Sequence, residues 1–451
     1  MAGMKPSRVF AALLAAVMAL AIAQFNQITT DAFSQNPNGR AAIEAYEIIK
    51  NHYLKKLSDE ELSRVLEGAI RGEVDALKDP FSYYSAPRYT KIRTEDLKGE
   101  FYGIGVVIQP ARPDGTGAKI VAVFRGGPAY RAGLKAGDEI VEVNGEDVTN
   151  LDLYEIVSRI RGPKGTIVEI GVRRKGSRAI LRFKIRREKI EIVSVSKAML
   201  PGDVGYVAIE TFFNVKVMDQ LKDAINELKK QGAKKLVLDL RDNGGGLLDQ
   251  GCQVANAFLK EGVIVYTRSR EVTRAFCEAS ADTLWDGPMV VLVNENSASA
   301  SEVVAGAIQD MKRAPIVGEK TFGKGVGQNT FNLANGGELT LVTFEWLTPK
   351  RRAIHEKGIE PDYPVKDTRF PEPLAFEGTG APPGGEVELI VRDKDGNVVK
   401  TLKAKVDEEG RFSASEEAPH RPISEVPGEA LIDLENDAIL KKALELLGVQ
   451  Q

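Results

Sequence analysis

Two segments hold the residue types and spacing best suited to chemistry: Ser297-Ala298-Ser299-Ala300-Ser301-Glu302 and Thr321-Phe322-Gly323-Lys324-Gly325-Val326-Gly327-Gln328. A serine hydroxyl is a weak nucleophile and attacks a carbonyl only when a neighbouring base takes its proton. Histidine is the usual base, but the chain has only His52, His355 and His420, none of them in a glycine-rich turn beside the serines. Lysine can replace it where burial disfavours the ammonium form and draws a reference pKa of about 10.4 toward neutrality. Lys324 is the candidate. Gly323, Gly325 and Gly327 allow close backbone packing, Phe322 and Val326 can screen the amine from water, and Gln328 can orient it without adding charge. The plainer readings are a solvated lysine in a glycine turn and serines that do no more than cap a helix.

Regular elements must bring these segments together. Residues 289–293 have the apolar pattern of a buried strand and lead into a helix expected over 301–310. Where a strand passes into a helix, unpaired N–H groups and the positive end of the helix dipole can hold an oxyanion. Ser297, Ser299 and Ser301 are equivalent on these grounds. A second source of donors is the buried strand expected over 235–240, which ends in Arg241-Asp242-Asn243-Gly244-Gly245-Gly246. Ligands of open α/β sheets collect at the carboxyl ends of strands, where glycines free backbone amides. A phosphate loop fits less well there, since the spacing is not that of a P-loop and no Lys-Ser/Thr follows. With a strand at 205–209 and helices over 217–231 and 247–259, the region reads as an α/β sheet covered by helices.

Residues 97–188 read as a small β-rich module, with strands at 101–108, 120–124, 139–144, 167–173 and 180–186 and one helix at 151–160. A dinucleotide-binding reading of Gly103 and Gly105 fails because a strand, not a helix, follows them. The basic loop Arg161-Gly162-Pro163-Lys164-Gly165-Thr166 closes the helix and by default faces solvent. Arg161 is also a candidate gate toward the neighbouring body.

Together these motifs resemble those of the carboxy-terminal processing proteases, serine proteases with a Ser-Lys dyad and an embedded PDZ domain. The resemblance runs from about residue 40 to 368 and returns in the last helix. It implies Ser299 as nucleophile, Lys324, 25 residues on, as base, Gln328 as the residue orienting the lysine, and the Gly245 and Ala300 amides as oxyanion hole. Gly126-Gly127-Pro128-Ala129-Tyr130-Arg131-Ala132-Gly133-Leu134, Gly137-Asp138-Glu139-Ile140 and Asn144-Gly145 resemble a protease-type PDZ domain. Within it Tyr102-Gly103-Ile104-Gly105-Val106 matches the carboxylate-binding loop, whose amides capture a chain end while the peptide adds as a strand. The resemblance further implies a helical N-terminal arm able to support dimerisation, continued in Gly68-Ala69-Ile70-Arg71-Gly72 and Asp79-Pro80-Phe81-Ser82-Tyr83-Tyr84, and a crotonase-like core. The implied chemistry is acyl transfer on peptide bonds without metal or cofactor, and the implied partners are proteins or peptides with free C-termini. A crotonase-like acyl hydrolase and a catalytically inactive PDZ scaffold of the cell envelope stay open as alternatives.

Lys5 and Arg8, the apolar stretch 9–23 and its ending Ala21-Ile22-Ala23 have the form of a secretory signal peptide. The stretch is short of the roughly 20 residues a membrane span needs. Export to the periplasm or cell envelope is expected, with peripheral membrane association through an uncleaved segment as the alternative. A helical region at 38–96 follows, with amphipathic helices at 41–53 and 59–77, the second opened by Ser58 and Glu61 at capping-box spacing. Two cysteines allow at most one disulfide and lack metal-ligand spacing, so packed cores, supplied by 43% hydrophobic residues, must carry stability. With 61 basic and 64 acidic residues, no global field favours nucleic acid. The departure from the family pattern lies after Lys357-Gly358-Ile359-Glu360-Pro361-Asp362. There residues 371–430 read as a linker and small β insertion, with a hairpin of 387–391 and 398–402 joined through 393–397. A last helix over 437–447 follows, with Asn436 expected as its N-cap. The insertion could bind an adaptor protein, pack on the body, or mediate a homo-oligomer.

Overall fold

The computed structural model describes residues 33–449 apart from 113–114, 125, 176–178, 370–374, 393–395, 416–423 and 425. The expected signal segment, residues 1–23, lies outside the described residues. The chain divides into two compact units, Met1–Ala86 and Pro87–Gln451.

The first unit contains helices Pro37–His52 and Asp59–Asp75. The first starts four residues ahead of the expected 41, because the Asn36 side chain accepts the Asn38 N–H at 2.8 Å and Pro37 suits the first helical position. The second carries the expected capping box, with Ser58 Oγ accepting the Glu61 N–H at 3.2 Å and Glu61 Oε2 accepting the Ser58 N–H at 2.8 Å.

The second unit opens with helix Pro87–Lys98 and continues into the PDZ module. Strands Val106–Gln109, Ala118–Val123, Glu139–Val143, Ile167–Arg173 and Leu181–Arg186 form one antiparallel sheet. With helix Leu153–Ile160 they enclose a core that includes Ile104, Ile120, Ile140, Ile156 and Ile170. The strand expected over 101–108 is in fact two. Glu100–Gly103 pairs with Glu188–Glu191, and Gly105, at φ +76°, breaks the run before Val106–Gln109 joins the main sheet. The break turns the Ile104 and Gly105 carbonyls onto the Ala129 and Phe124 N–H groups, at 2.8 and 3.1 Å.

The α/β body is built on a six-stranded sheet: β1 (Val195–Leu200), β2 (Val204–Ile209), β3 (Lys235–Asp239), β4 (Met289–Val293), β5 (Ile316–Gly318) and β6 (Tyr363–Pro364), adjacent in that order. β1 runs antiparallel to β2, and all later pairs are parallel. Helices α1 (Val217–Lys230), α2 (Leu248–Asn256) and α3 (Ala300–Asp310) share one apolar core with one face of the sheet. Helix α4 (Ala438–Leu446) covers the other face with Ile439, Leu440, Ala443 and Leu444. A sheet covered on both sides needs strands apolar on both sides, and every residue of β2 and β4 is buried. The loops that follow β3 and β4 therefore emerge side by side at the carboxyl edge. The N-cap of α4 is Asp437, whose Oδ1 accepts the Leu440 N–H at 2.9 Å, and not Asn436, whose carbonyl instead accepts from Thr368 Oγ1 at 2.5 Å.

Val326–Asn332, Glu338–Leu347, Val263–Arg268 and Thr273–Glu278 make an antiparallel sheet beside the body, and a Cys252–Cys277 disulfide joins α2 to Thr273–Glu278. In the C-terminal insertion Glu386–Arg392 pairs with Val398–Lys405, and Ala375–Thr379 with Arg411–Ser415. The middle of the expected hairpin turn, 393–395, lies outside the described residues. Among the described residues no helix is long and apolar enough to cross a membrane.

Candidate active site

The structure separates the three serines that sequence leaves equivalent. Ser297 is fully buried: its hydroxyl accepts the Asn294 N–H at 3.0 Å and donates to the Leu240 carbonyl at 2.8 Å. Ser301, equally buried, donates to the Asn243 carbonyl at 2.8 Å. Both hydroxyls stitch the turn after β4 to the loop after β3. Ser299 is half-buried at the start of α3, with φ +56° and ψ −115°. A non-glycine residue held there costs about 1–3 kcal/mol, and such cost persists where the surroundings over-determine it. A strand-to-helix turn of this hand presents its side chain outward, as nucleophile turns do.

What over-determines Ser299 is Glu302, a fully buried carboxylate one turn into α3. Glu302 Oε2 accepts the Ser299 N–H and the Lys324 N–H, each at 2.8 Å, so those two nitrogens lie at most twice that distance apart. Its Oε1 accepts the Gly323 N–H at 2.7 Å and the Thr321 hydroxyl at 2.5 Å. Burial pushes the Glu302 carboxyl above its usual value, and the four donors act against that rise. The Phe322 N–H donates to the Ser297 carbonyl at 3.0 Å, closing a second link between serine and lysine turns.

Phe322, in the lysine turn, is 58% exposed. The inner side of the turn is taken by Trp346, 2% exposed, which donates through Nε1 to the Lys324 carbonyl at 3.0 Å and through its backbone to Gly325 at 2.9 Å. Val326 is half-buried at the start of Val326–Asn332, and Gln328 lies two residues on, past a register shift against Glu338–Leu347. The Gly325 backbone also meets that of His355, where a Cβ would stand 2.5 Å from the His355 nitrogen. One of the three histidines is therefore beside the lysine turn after all.

The expected oxyanion donors lie together. A Cβ on Gly245 would stand 2.7 Å from the Ala298 oxygen, 2.7 Å from Ser299 Cβ and 2.9 Å from the Ala300 nitrogen, and its φ is +95°, so only glycine fits. The Ala300 N–H finds no acceptor among the described residues, whereas the Gly245 N–H donates to Asn243 Oδ1 at 2.9 Å. To serve an oxyanion, Gly245 must share or release that bond.

In the PDZ module, Ile104, Gly105, Val106, Ile108, Val157 and Ile160 line a groove of about 100 Å³ with Phe101 and Arg161 at its rim. The Ile104 and Gly105 N–H groups find no acceptor among the described residues. Tyr102 and Gly103 end the strand that leads in, the Tyr102 carbonyl accepting from Gly162. Arg161 does not face solvent. Its guanidinium pairs with Asp96 at 2.8 Å and Glu95 at 3.4 Å on helix Pro87–Lys98 and lies 3.8 Å from the Phe101 ring centre. A sequence reading defaults to a solvated loop because those acidic partners lie more than sixty residues away.

The model of the peptidase S41 family matches residues 203–365, that of the PDZ domain residues 91–173, and that of the activating protease CtpB N-terminal domain residues 15–87. A protein of Staphylococcus aureus named "Probable CtpA-like serine protease" is 39% identical over 361 residues, 79% of this chain and 69% of that relative. The chain belongs to peptidase family S41. A relative of the same name from Staphylococcus saprophyticus is 36% identical over 364 residues, 80% of this chain and 70% of its own. Among solved structures, the photosystem II D1 C-terminal processing protease is 31% identical with a TM-score of 0.44, covering 72% of this chain and 92% of its own. The PDZ domain of a carboxy-terminal protease from Vibrio cholerae, solved in complex with peptide, is 33% identical with a TM-score of 0.19, covering 20% and 98%. As an S41 member the chain is a serine-type peptidase with a PDZ domain ahead of its catalytic body.

Proposed function

We propose that the protein is an exported serine endopeptidase that selects substrates by their free C-termini and cleaves them through a Ser299–Lys324 acyl-enzyme mechanism. The observation that carries this reading is Glu302 Oε2, which receives both the Ser299 and the Lys324 N–H and so holds the nucleophile turn against the base turn. Lys324, entering as the neutral amine, takes the hydroxyl proton as Ser299 Oγ bonds to the peptide carbonyl carbon, and the Ala300 N–H, joined by Gly245, donates to the oxygen. Collapse breaks the C–N bond, and the lysine returns the proton to the leaving amine. Water then attacks the ester by the same route and restores the serine. Gln328 orients the lysine amine.

Selection of chain ends is supported by the open Ile104 and Gly105 N–H groups at the head of an apolar groove. A hydrogen bond to a charged group contributes about 1.5–3 kcal/mol. Amidating a substrate's C-terminus is therefore expected to slow cleavage about 10- to 100-fold, read as initial rates by mass spectrometry. Equal rates for acid and amide would remove the groove from substrate choice.

Export is supported by the form of residues 1–23 and by the Cys252–Cys277 disulfide, a bond that persists in oxidising compartments. Protein recovered from fractionated cells is expected in the envelope or exported fraction with Gln24 at its N-terminus. Recovery from the cytoplasm with residues 1–23 intact would overturn this part of the reading.

A further inference from the structure

The loop between β3 and α2 is held at its root by a residue from the far end of the chain. Arg241, the second residue after Asp239, has a side chain only 1% exposed. Its Nε and Nη2 donate to Asp239, and Nη1 and Nη2 donate to the two oxygens of Asp437, both at 2.8 Å. Asp239 in turn accepts the Tyr206 hydroxyl at 2.6 Å and the Arg241 N–H at 2.9 Å. The guanidinium is thus locked between two carboxylates, immediately before Asp242, a non-glycine residue at φ +59°, and four residues before Gly245. A second strap reaches the same point: Arg369 donates to Asp242 Oδ2 at 2.7 Å, and Thr368 Oγ1 accepts the Ala438 N–H at 3.1 Å.

Capping α4 does not require this arrangement. A serine or asparagine at position 437 could accept the Leu440 N–H, and burying an ion pair carries a desolvation cost that an apolar contact avoids. The bidentate pair instead fixes where β3 ends and at what angle the glycine loop leaves it. We propose that Asp437 is a positioning residue for the oxyanion loop: α4 acts through Asp437 and Arg241 to set the place of Asn243, Gly244 and Gly245 against Ser299. This rests on the reading of Gly245 and Ala300 as oxyanion donors.

The test compares full-length wild type with Asp437→Asn and with Leu444→Ala, a variant that removes packing from the same helix without touching Arg241. Turnover, KM, melting temperature and amide hydrogen exchange of residues 243–246 are measured for all three. Misplacing a catalytic group by about 1 Å costs about 10²-fold. Asp437→Asn is expected to lower kcat about 10- to 100-fold with KM changed less than about threefold and to speed exchange of 243–246 selectively; Leu444→Ala is expected to lose melting temperature while keeping kcat and loop protection. Unchanged loop exchange in Asp437→Asn, or equal loosening in both variants, overturns the proposal. A selectively loosened loop with kcat intact would uphold the positioning and retire the assignment of that loop to the oxyanion hole.

Discussion

Alanine at Ser299 or at Lys324 is expected to lower the cleavage of an unfolded protein about 10⁴-fold or more, and the double variant is expected to lose little beyond either single one. Non-additivity follows from the mechanism, since a serine without its base and a base without its serine leave the same residual contribution from binding and the oxyanion donors. The fold should survive. Ser299→Ala would keep the backbone bond from position 299 to Glu302, and Lys324→Ala would keep the backbone bonds from position 324 to Glu302 and Trp346. Fragment appearance by mass spectrometry, with circular dichroism as the folding check, reads the result. Cleavage that persists in both variants would move the nucleophile elsewhere. Loss in Ser299→Ala alone would place the base on another residue, and His355, whose backbone meets Gly325, would be tested next.

Glu302→Ala is expected to produce the next largest effect. It leaves the N–H groups of Ser299, Gly323 and Lys324 and the Thr321 hydroxyl without their acceptor inside the protein. Each orphaned group costs about 1–3 kcal/mol. A loss of several kcal/mol in stability is therefore expected, together with about 10²-fold or greater loss of turnover as serine and lysine turns part. Glu302→Gln separates charge from shape. Because burial raises the Glu302 pKa above 4.5, ionising it costs the folded state. That cost is absent at pH below the usual value, grows as pH rises through the window above 4.5, and is fully present once the group is ionised. The melting temperature of Glu302→Gln should accordingly fall further below wild type at about pH 4 than at about pH 7. A deficit that widens toward neutral pH would contradict the assigned shift.

Much of this organisation is legible in the sequence because it follows local pattern. The apolar runs at 235–240 and 289–293, the glycine loop after the first, and the alternation with helices lead to the parallel sheet and to both loops at its carboxyl edge. Ser299 itself is not separable from Ser297 and Ser301 on physical grounds. The difference lies in the partners of the other two hydroxyls, the Leu240 and Asn243 carbonyls, which are more than fifty residues away. Glu302 stands in the motif, yet sequence reasoning misses its role, although a carboxylate within the apolar run of α3 is itself a signal that several donors must converge on it. Trp346, whose indole donates to the Lys324 carbonyl, is invisible for the same reason of distance. Asn436 and Asp437 are equally good caps by type. The bond to the Leu440 N–H identifies Asp437 as the cap, and its second set of partners, on Arg241, lies 196 residues away in sequence.

The Arg241–Asp437 pair spans 196 residues of sequence, and that separation has a temporal meaning. Chains are made from the N-terminus, so the guanidinium at the root of the glycine loop is synthesised long before the carboxylate that completes its cage. If Asp437 sets the loop as proposed, the exit of the loop from β3 is completed only once the last helix has joined the sheet, and the hydrolytic centre is finished late in folding. On the same proposal, a chain cut short before residue 437 would be made with Arg241 lacking its second carboxylate.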